Sequence, residues 1–403
     1  MNEFMERKVK LKWYEPKNAY DVIIIGGGGH GLATAYYLAT RHNITNVAVL
    51  ERKYIGGGNS GRNTTVIRAN YGIPEAVRFY QRSLDLYNTL EQETDRYMMY
   101  ATKGLFWMAH TEAGLRREYA RAEMNKAFGA TTEYVTPKQI KEIVPQIDLS
   151  GGGAYPVLGA SYHPQGATAR HDRVNWALAE GANQRGVHIH QRIEVLDMLK
   201  QGERVVGVKT DQGDMYAPIV MSATGGHVTA IGKMAGLRLP IRTHPLQAYV
   251  TNHYEMDTFK SIVASTDLTF YISQTARGEM LIGAEIDPQP SFNYRADHRL
   301  LQTCSLRAMT LFPFLRKLRI LRQWTGLCDM SPDYSPIMGK TDVDGFYITT
   351  GWGTWGFKAI PAGGETMAQL IATGETPELI APFALSRFRE DRTKADRGSA
   401  GTH

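Results

Sequence analysis

The sharpest change of hydrophobic rhythm in the chain falls between residues 20 and 51. The apolar run of Asp21-Val-Ile-Ile-Ile25 predicts a strand buried on both faces, and a turn of glycines follows. Gly31–Arg41 then carries apolar residues at helical spacing, and Val47–Glu51 reads as a second buried strand. Strand, helix and strand in this order make a βαβ unit and the start of a parallel sheet. Leu, Tyr, Phe and Ala recur at helical spacing, with charges opposite, over 75–97 and 112–128. Residues 137–144 read as a short helix stopped by Pro145, and a helix from about Asp172 to Arg185 ends at Gly186. Strands are predicted at 187–194, 205–210, 215–217 and 219–223. Alternation returns across 240–290, with Tyr249, Phe270, Tyr271 and Ile282 among the apolar positions. Helical patterns reappear at 296–318 and 362–373.

At 403 residues and 43% hydrophobic, the chain buries a core too large for one small domain, so two domains or an interleaved pair are expected. The net charge of +6 comes from 46 Lys and Arg against 40 Asp and Glu, scattered without basic runs, which gives little support to a nucleic-acid or anionic-membrane role. Cys304 and Cys328 are the two cysteines. Without ligand spacing they supply neither a disulfide framework nor a zinc site, and they point to a reducing compartment. No metal is expected. Met1–Pro16 holds no apolar stretch of signal-peptide length, and nothing approaches the roughly 18 apolar residues of a membrane span. A soluble, cytoplasmic protein is therefore expected. The remaining oddity is 40 glycines, bunched at 26–31, 56–61, 151–153, 225–226 and 351–364 without a three-residue period. Bunched glycine in a globular chain marks backbone pressed against something, although the 151–153 bunch reads as a surface turn.

The first bunch, Gly26 to Gly31, satisfies G-x-G-x-x-G between a buried strand and a helix, the context in which that motif binds a dinucleotide. Gly26 permits the tight turn, Gly28 lets backbone amides approach a pyrophosphate at the helix N-terminus, and Gly31 permits close packing of helix on strand. Glu51, closing the second strand, is placed to accept hydrogen bonds from a ribose diol and disfavours a 2′-phosphate. This unit alone suits NAD as well as FAD. The second bunch, Gly56-Gly-Gly-Asn59-Ser-Gly61, and a third, Ala223-Thr-Gly225-Gly226 after an apolar strand, tip the reading to FAD, which is long and buried. A nicotinamide-dependent dehydrogenase is the alternative left open at this point.

The combination Gly26-GGGHGLATAYYL, Gly56-GGNSGRNTT-x-IR, Thr168-Ala-Arg-His171-Asp and Gly351-WGT-x-GFKA resembles the β subunit of heterotetrameric sarcosine oxidase, from about residue 13 to about residue 390. It is also similar to subunits of N-methylglutamate dehydrogenase and hetero-oligomeric proline dehydrogenase. The resemblance implies a glutathione-reductase-like, D-amino-acid-oxidase-like fold, α/β plus β-rich. Its discontinuous FAD-binding domain would comprise 20–85, 165–240 and 330–386, interleaved with a substrate or partner domain at 86–164 and 241–329. An extension at 1–19 and a polar, peripheral tail at 387–403 complete the layout. The implied activity is oxidative demethylation of an N-methyl amino acid such as sarcosine or N-methyl-L-glutamate. One noncovalent FAD takes the hydride and passes electrons to an FMN attached to His171, at the interface with a larger α subunit, with small γ- and δ-type subunits beside it. A proline dehydrogenase-type subunit, or a flavin-relay subunit without its own substrate site, is the alternative.

The resemblance also names residues. Flavin contacts are implied for Gly26, Gly28, Gly29, His30, Gly31, Glu51, Arg52, Asn59, Arg62, Asn63, Thr64, Val195, Gly225, Gly353, Gly356 and Lys358, and covalent FMN attachment for His171. Arg62 is a candidate partner of a phosphate. Arg68 ends an apolar stretch, so its guanidinium needs an anion, and the implied one is a substrate carboxylate held by a bidentate fork. Lys358 is placed to share that carboxylate and to stabilise an anionic reduced flavin. A larger, dicarboxylate substrate would require a further cation, with Arg170, Lys233 and Arg277 as candidates. Three departures from the pattern carry expectations. Trp355 stands where the family has glycine and is expected to reshape the pocket. Cys328 is two residues out of register with the thiol that links FAD in monomeric relatives. Leu281 stands where those relatives carry an oxygen-activating lysine, which weakens direct oxidation by O2.

Overall fold

The computed structural model describes residues 10–395; positions 1–9 and 396–403 of the expected extension and tail lie outside the described residues. The first predicted strands pair in parallel at the centre of a six-stranded sheet, with Val22–Ile25 flanked by Val47–Glu51 and Ile219–Ser222. The sheet runs on to His188–Gln191 at one edge and, through Phe346–Thr350, to the antiparallel Ile337–Lys340 at the other. The continuous apolar runs of the central strands are explained by burial on both sides. The helices Gly29–Arg41, His171–Asn183 and Ile360–Thr373 belong to one face, and the three-stranded ribbon Val195–Gln201, Arg204–Thr210 and Gly213–Tyr216 packs in the cluster on the other.

An eight-stranded sheet forms the second layer system, in the order 320–330, 242–253, 279–286, 270–274, 262–265, 105–109, 159–163 and 133–135. The helix His298–Leu311 packs into its core. The 296–318 pattern is therefore shorter than expected: Pro313 cannot continue the helix, and a 3₁₀ turn at Pro313–Lys317 takes over. The helix expected at 75–97 is Pro74–Thr94, closed by Asp95 in the left-handed region at φ 51°. It runs unbroken through the 85/86 junction expected from sequence. Glycines 151–153 form a 3₁₀ turn with Gly152 and Gly153 exposed.

The described parts of the extension and of the tail are tied to the body of the protein. The Lys12 amide donates to Asn183 Oδ1 at 2.7 Å, and Tyr14 stacks on His188 at 4.2 Å. The tail expected to be peripheral starts on a buried residue. Arg387, 3% exposed, donates a fork of 2.8 and 2.9 Å bonds to Asp333, and the Lys394 amide donates to the same carboxylate. Removing either partner of this bidentate pair would leave the other charge buried and uncompensated.

Candidate active site

The loops after Val22–Ile25, Val47–Glu51 and Ile219–Ser222 leave the carboxyl ends of the parallel strands, the edge at which open α/β sheets bind ligands. Together with the Gly351–Lys358 loop they line a cavity of about 400 Å³. Gly26 sits at φ +110°, where a Cβ would also lie 2.6 Å from the Ala223 carbonyl oxygen, and a Cβ on Gly31 would strike the Gly26 carbonyl. The Gly27 amide donates to Glu51 Oε2 at 3.0 Å and the Lys53 amide to Oε1 at 2.8 Å, which fixes the carboxylate at the strand end. The Gly29 amide, in the first turn of the helix, donates to Ser60 Oγ at 2.8 Å, so the second glycine segment is tied to the first.

His30 shows how the distant glycine loop is held. Its ring donates from Nε2 to the Gly356 carbonyl at 2.9 Å and stacks on Trp352 at 4.1 Å. Burial pushes its pKa down to about 3, so the ring is neutral. His30 Nδ1 and the Trp352 indole N–H are buried without hydrogen-bond partners. A helix N-terminus whose own N-cap is a glycine, with a glycine cradle beside it, fits a dinucleotide whose pyrophosphate meets backbone amides.

Two cations converge on the same cavity. Arg68 is 3% exposed, bonds through Nη1 to the Asn70 carbonyl and to Asn70 Oδ1, and lies against Tyr71 at 4.1 Å and Trp107 at 5.1 Å. Behind it His163 bridges two backbone groups, donating from Nδ1 to the Thr131 carbonyl at 2.6 Å and accepting the Ala69 amide at 3.2 Å. Burial lowers the pKa of His163 to about 4, so the neutral tautomer that this bridge requires is the one present. Lys358 is held by the helix Pro74–Thr94, from which Ser83 donates to the Lys358 carbonyl at 2.6 Å and Tyr87 to that of Phe357 at 2.7 Å. Its ammonium donates to the Thr354 carbonyl at 3.2 Å and has no ion pair with a described carboxylate. Burial, and then the charge of Arg68, hold its pKa well below the ordinary lysine range. A corner that buries two cations is complementary to an anion, and an apolar wall of Leu105, Trp107, Ile262 and Ala264 faces the same cavity.

Every residue expected at the first flavin lines this cavity except Gly31, whose role is steric. Arg62 donates to the Gly57 and Gly58 carbonyls instead of standing free, and it borders a second cavity as well. His171 lies in that second cavity, of about 670 Å³, at the start of the helix His171–Asn183. Leu281 also lines the second cavity and not the first, so its identity does not bear directly on the first ring pocket. Arg170 and Arg277 open on the second cavity, and Lys233 lines neither. The expectation for Trp355 is corrected: it is 1% exposed and packs on Tyr71 at 4.7 Å and Tyr80 at 5.8 Å, one layer behind Arg68. Burial pushes the thiol of Cys328, which borders the first cavity, far above its usual range, so it is not a nucleophile. Sequence reasoning missed Ser60, Trp107 and Asp329. The last is a fully buried carboxyl at the end of Ile320–Met330 that accepts from Thr350 at 2.8 Å and has its pKa raised by burial.

Fold and site together define a flavin-dependent oxidoreductase with a buried cationic corner on its dinucleotide cavity. The FAD dependent oxidoreductase family, DAO, matches residues 21–370. The chain is 43% identical over 386 residues to sarcosine oxidase subunit beta of an Arthrobacter species, covering 96% of this chain and 95% of the relative. It is 40% identical to the subunit of that name from Rhodobacter capsulatus, covering 96% and 93%. Among solved structures, L-proline dehydrogenase from P. horikoshii superposes with a TM-score of 0.88 at 28% identity, covering 94% of this chain and all of the other. The chain belongs to the DAO family of FAD-dependent oxidoreductases and, within it, to the group of sarcosine oxidase β subunits. No helix among the described residues is long and apolar enough to cross a membrane.

Proposed function

We propose that this chain is the FAD-bearing β subunit of a cytoplasmic amine-oxidising complex and removes a hydride from an N-methyl amino acid, sarcosine first among them. The observation that carries the reading is the juxtaposition of buried Arg68 and Lys358 beside an apolar wall, on a cavity that a dinucleotide cradle also lines. FAD, bound noncovalently, supplies the two-electron acceptor. Arg68 offers a fork to the substrate carboxylate and Lys358 a point charge. Leu105, Trp107, Ile262 and Ala264 exclude water from the carbon that loses hydride. Orientation and charge placement carry the catalysis once the amine is neutral, and the imine product takes up water after release. Arg170 and Arg277 face the other cavity, and this favours a monocarboxylate such as sarcosine over N-methyl-L-glutamate.

The second cavity is assigned to FMN, covalently attached through His171. Burial first, and then Arg170, lower the His171 pKa against the pull of Asp172, which favours the neutral nucleophilic ring; its Nδ1 is buried without a partner. A larger α subunit would cover this flavin, with γ- and δ-type subunits completing the complex; the name "subunit beta" of the relatives supports a multi-subunit assembly. The domain division is kept as read from sequence, with the first junction moved from residue 85 to the end of the helix at Thr94. A proline dehydrogenase-type subunit is the second reading, favoured by the likeness to the P. horikoshii enzyme. Anaerobic mixing of the complex with sarcosine, N-methyl-L-glutamate and L-proline decides. Sarcosine should bleach the FAD absorbance fastest, and fastest bleaching by proline would favour the second reading. Failure of all three would leave only a relay subunit.

A further inference from the structure

Residues 287–297 join the strand Glu279–Ile286 to the helix His298–Leu311 and carry no regular structure. The segment is pinned at intervals to the eight-stranded sheet. The Asp287 amide donates to the Pro245 carbonyl at 2.8 Å, the Ser291 amide to the Thr243 carbonyl at 2.9 Å, and the Asp297 amide to Gln247 Oε1 at 2.8 Å. Between the last two pins the chain reaches to the loops of the other sheet. Phe292 stacks on His227 at 5.4 Å, and the Tyr294 hydroxyl lies 3.2 Å from His227 Nε2. That same nitrogen accepts from Arg52 at 2.9 Å, and the Arg62 guanidinium lies over the Tyr294 ring at 4.7 Å. Arg52, Lys53 and Arg62 all border the first cavity, as does Tyr294 itself. Burial, with Arg52 and Lys53 adding to it, lowers the pKa of His227 to about 4, so Nε2 is unprotonated and its single lone pair is shared between Arg52 and the longer contact to Tyr294.

Phe292 and Tyr294 are thus directed at the groups that surround the dinucleotide cradle, and Phe292 is left 53% exposed. A connection needed only to link strand and helix gains nothing from crossing to the other sheet. We propose that 287–297 is a cofactor-retaining strap, with Tyr294 as its latch: carried by one sheet and clasped to the loops of the other, it closes over the dinucleotide and sets how slowly FAD leaves. The inference rests on the reading that FAD occupies the first cavity.

The test is FAD release from the purified holo-complex, diluted into an FAD scavenger and followed by flavin fluorescence. Tyr294→Ala removes the hydroxyl contact and the ring beneath Arg62, and should speed release about 5- to 30-fold. Tyr294→Phe keeps the ring and should fall between the two; it also serves if the alanine variant does not fold. Met256→Ala, an exposed change elsewhere on the same sheet system, should release FAD at the wild-type rate. Trypsin gives a second readout, because the exposed Arg295 should be cut more slowly with FAD bound than without it, and Tyr294→Ala should lose that protection. Wild-type release from both Tyr294 variants would overturn the latch. A complex that contains no FAD would overturn the underlying assignment as well, so the two failures are distinguishable.

Discussion

In the proposed site, Lys358 and Arg68 set the chemistry of the carboxylate corner because each makes the other's charge costlier. Arg68 stays charged at any working pH, so the strain falls on Lys358, whose pKa is held well below the lysine range. Only the protonated ammonium attracts a carboxylate. Affinity for a carboxylate ligand should therefore be full below the Lys358 pKa and decline as pH rises through it. Acetate, which has no amine of its own to titrate, is a suitable probe, with its binding followed by the change in the flavin spectrum. In Lys358→Met this pH dependence should vanish and affinity stay low throughout; an unchanged basic limb would show that another group titrates. Arg68→Lys keeps the charge but loses the fork, and a lost hydrogen bond to a charged group costs about 2 kcal/mol. The value of kcat/KM for sarcosine should accordingly fall roughly 30-fold or more, and a change under threefold would remove Arg68 from the carboxylate site. That both residues are buried and line the first cavity was legible in the sequence, because each sits in an apolar or glycine-walled motif. Asp329 and Trp107 were not legible, because nothing in a strand's own sequence says which cavity its face borders.

The βαβ unit was readable at the level of elements because its strands are buried on both faces and its helix must pass closely over them. The eight-stranded sheet was only half readable. Its long edge strand Ile320–Met330 is exposed at one end and buried at the other, so it shows no single period. The short strand at 105–109 takes its burial from partners at 159–163 and 262–265, fifty or more residues away. Trp355 illustrates the same limit. Its place in a flavin loop suggested a pocket wall, but the loop turns it inward onto the helix Pro74–Thr94, which also holds Lys358. Trp355→Gly should therefore act as a core truncation. We expect a loss of about 3–5 kcal/mol in denaturant unfolding, with the ratio of sarcosine to proline activity little altered. A large shift in that ratio at unchanged stability would restore the pocket-wall role. Helix-on-helix packing makes a parallel case: a Cβ on Gly364 would strike Ala33, so Gly364→Ala must part the helices Gly29–Arg41 and Ile360–Thr373. That change should cost about 1–3 kcal/mol, whereas Gly58→Ala, where nothing lies within 4 Å, should leave unfolding unaffected.

For the molecule as a whole, the decisive feature is that its two cavities share a wall. Gly57, Arg62 and Asn63 border both, Thr64 borders the first and Thr65 the second, so the partition is one stretch of backbone. Thr65 keeps a left-handed φ of 65° there, a cost for a β-branched residue that a free loop would relax. On the proposed reading, with a flavin in each cavity, this stretch of backbone is what would lie between them, and that is why the position of His171 matters. If the second cavity holds a flavin linked to that ring, acid precipitation of the wild-type complex should carry down one flavin and release another. His171→Asn should leave only the acid-released FAD. In that variant sarcosine should still bleach FAD anaerobically, because Arg68 and Lys358 are untouched, while turnover with the physiological acceptor collapses for want of an exit. Acid-precipitable flavin persisting in His171→Asn would move the attachment elsewhere. Full turnover without it would mean that electrons leave from the first cavity, and that the shared wall has no part in the reaction.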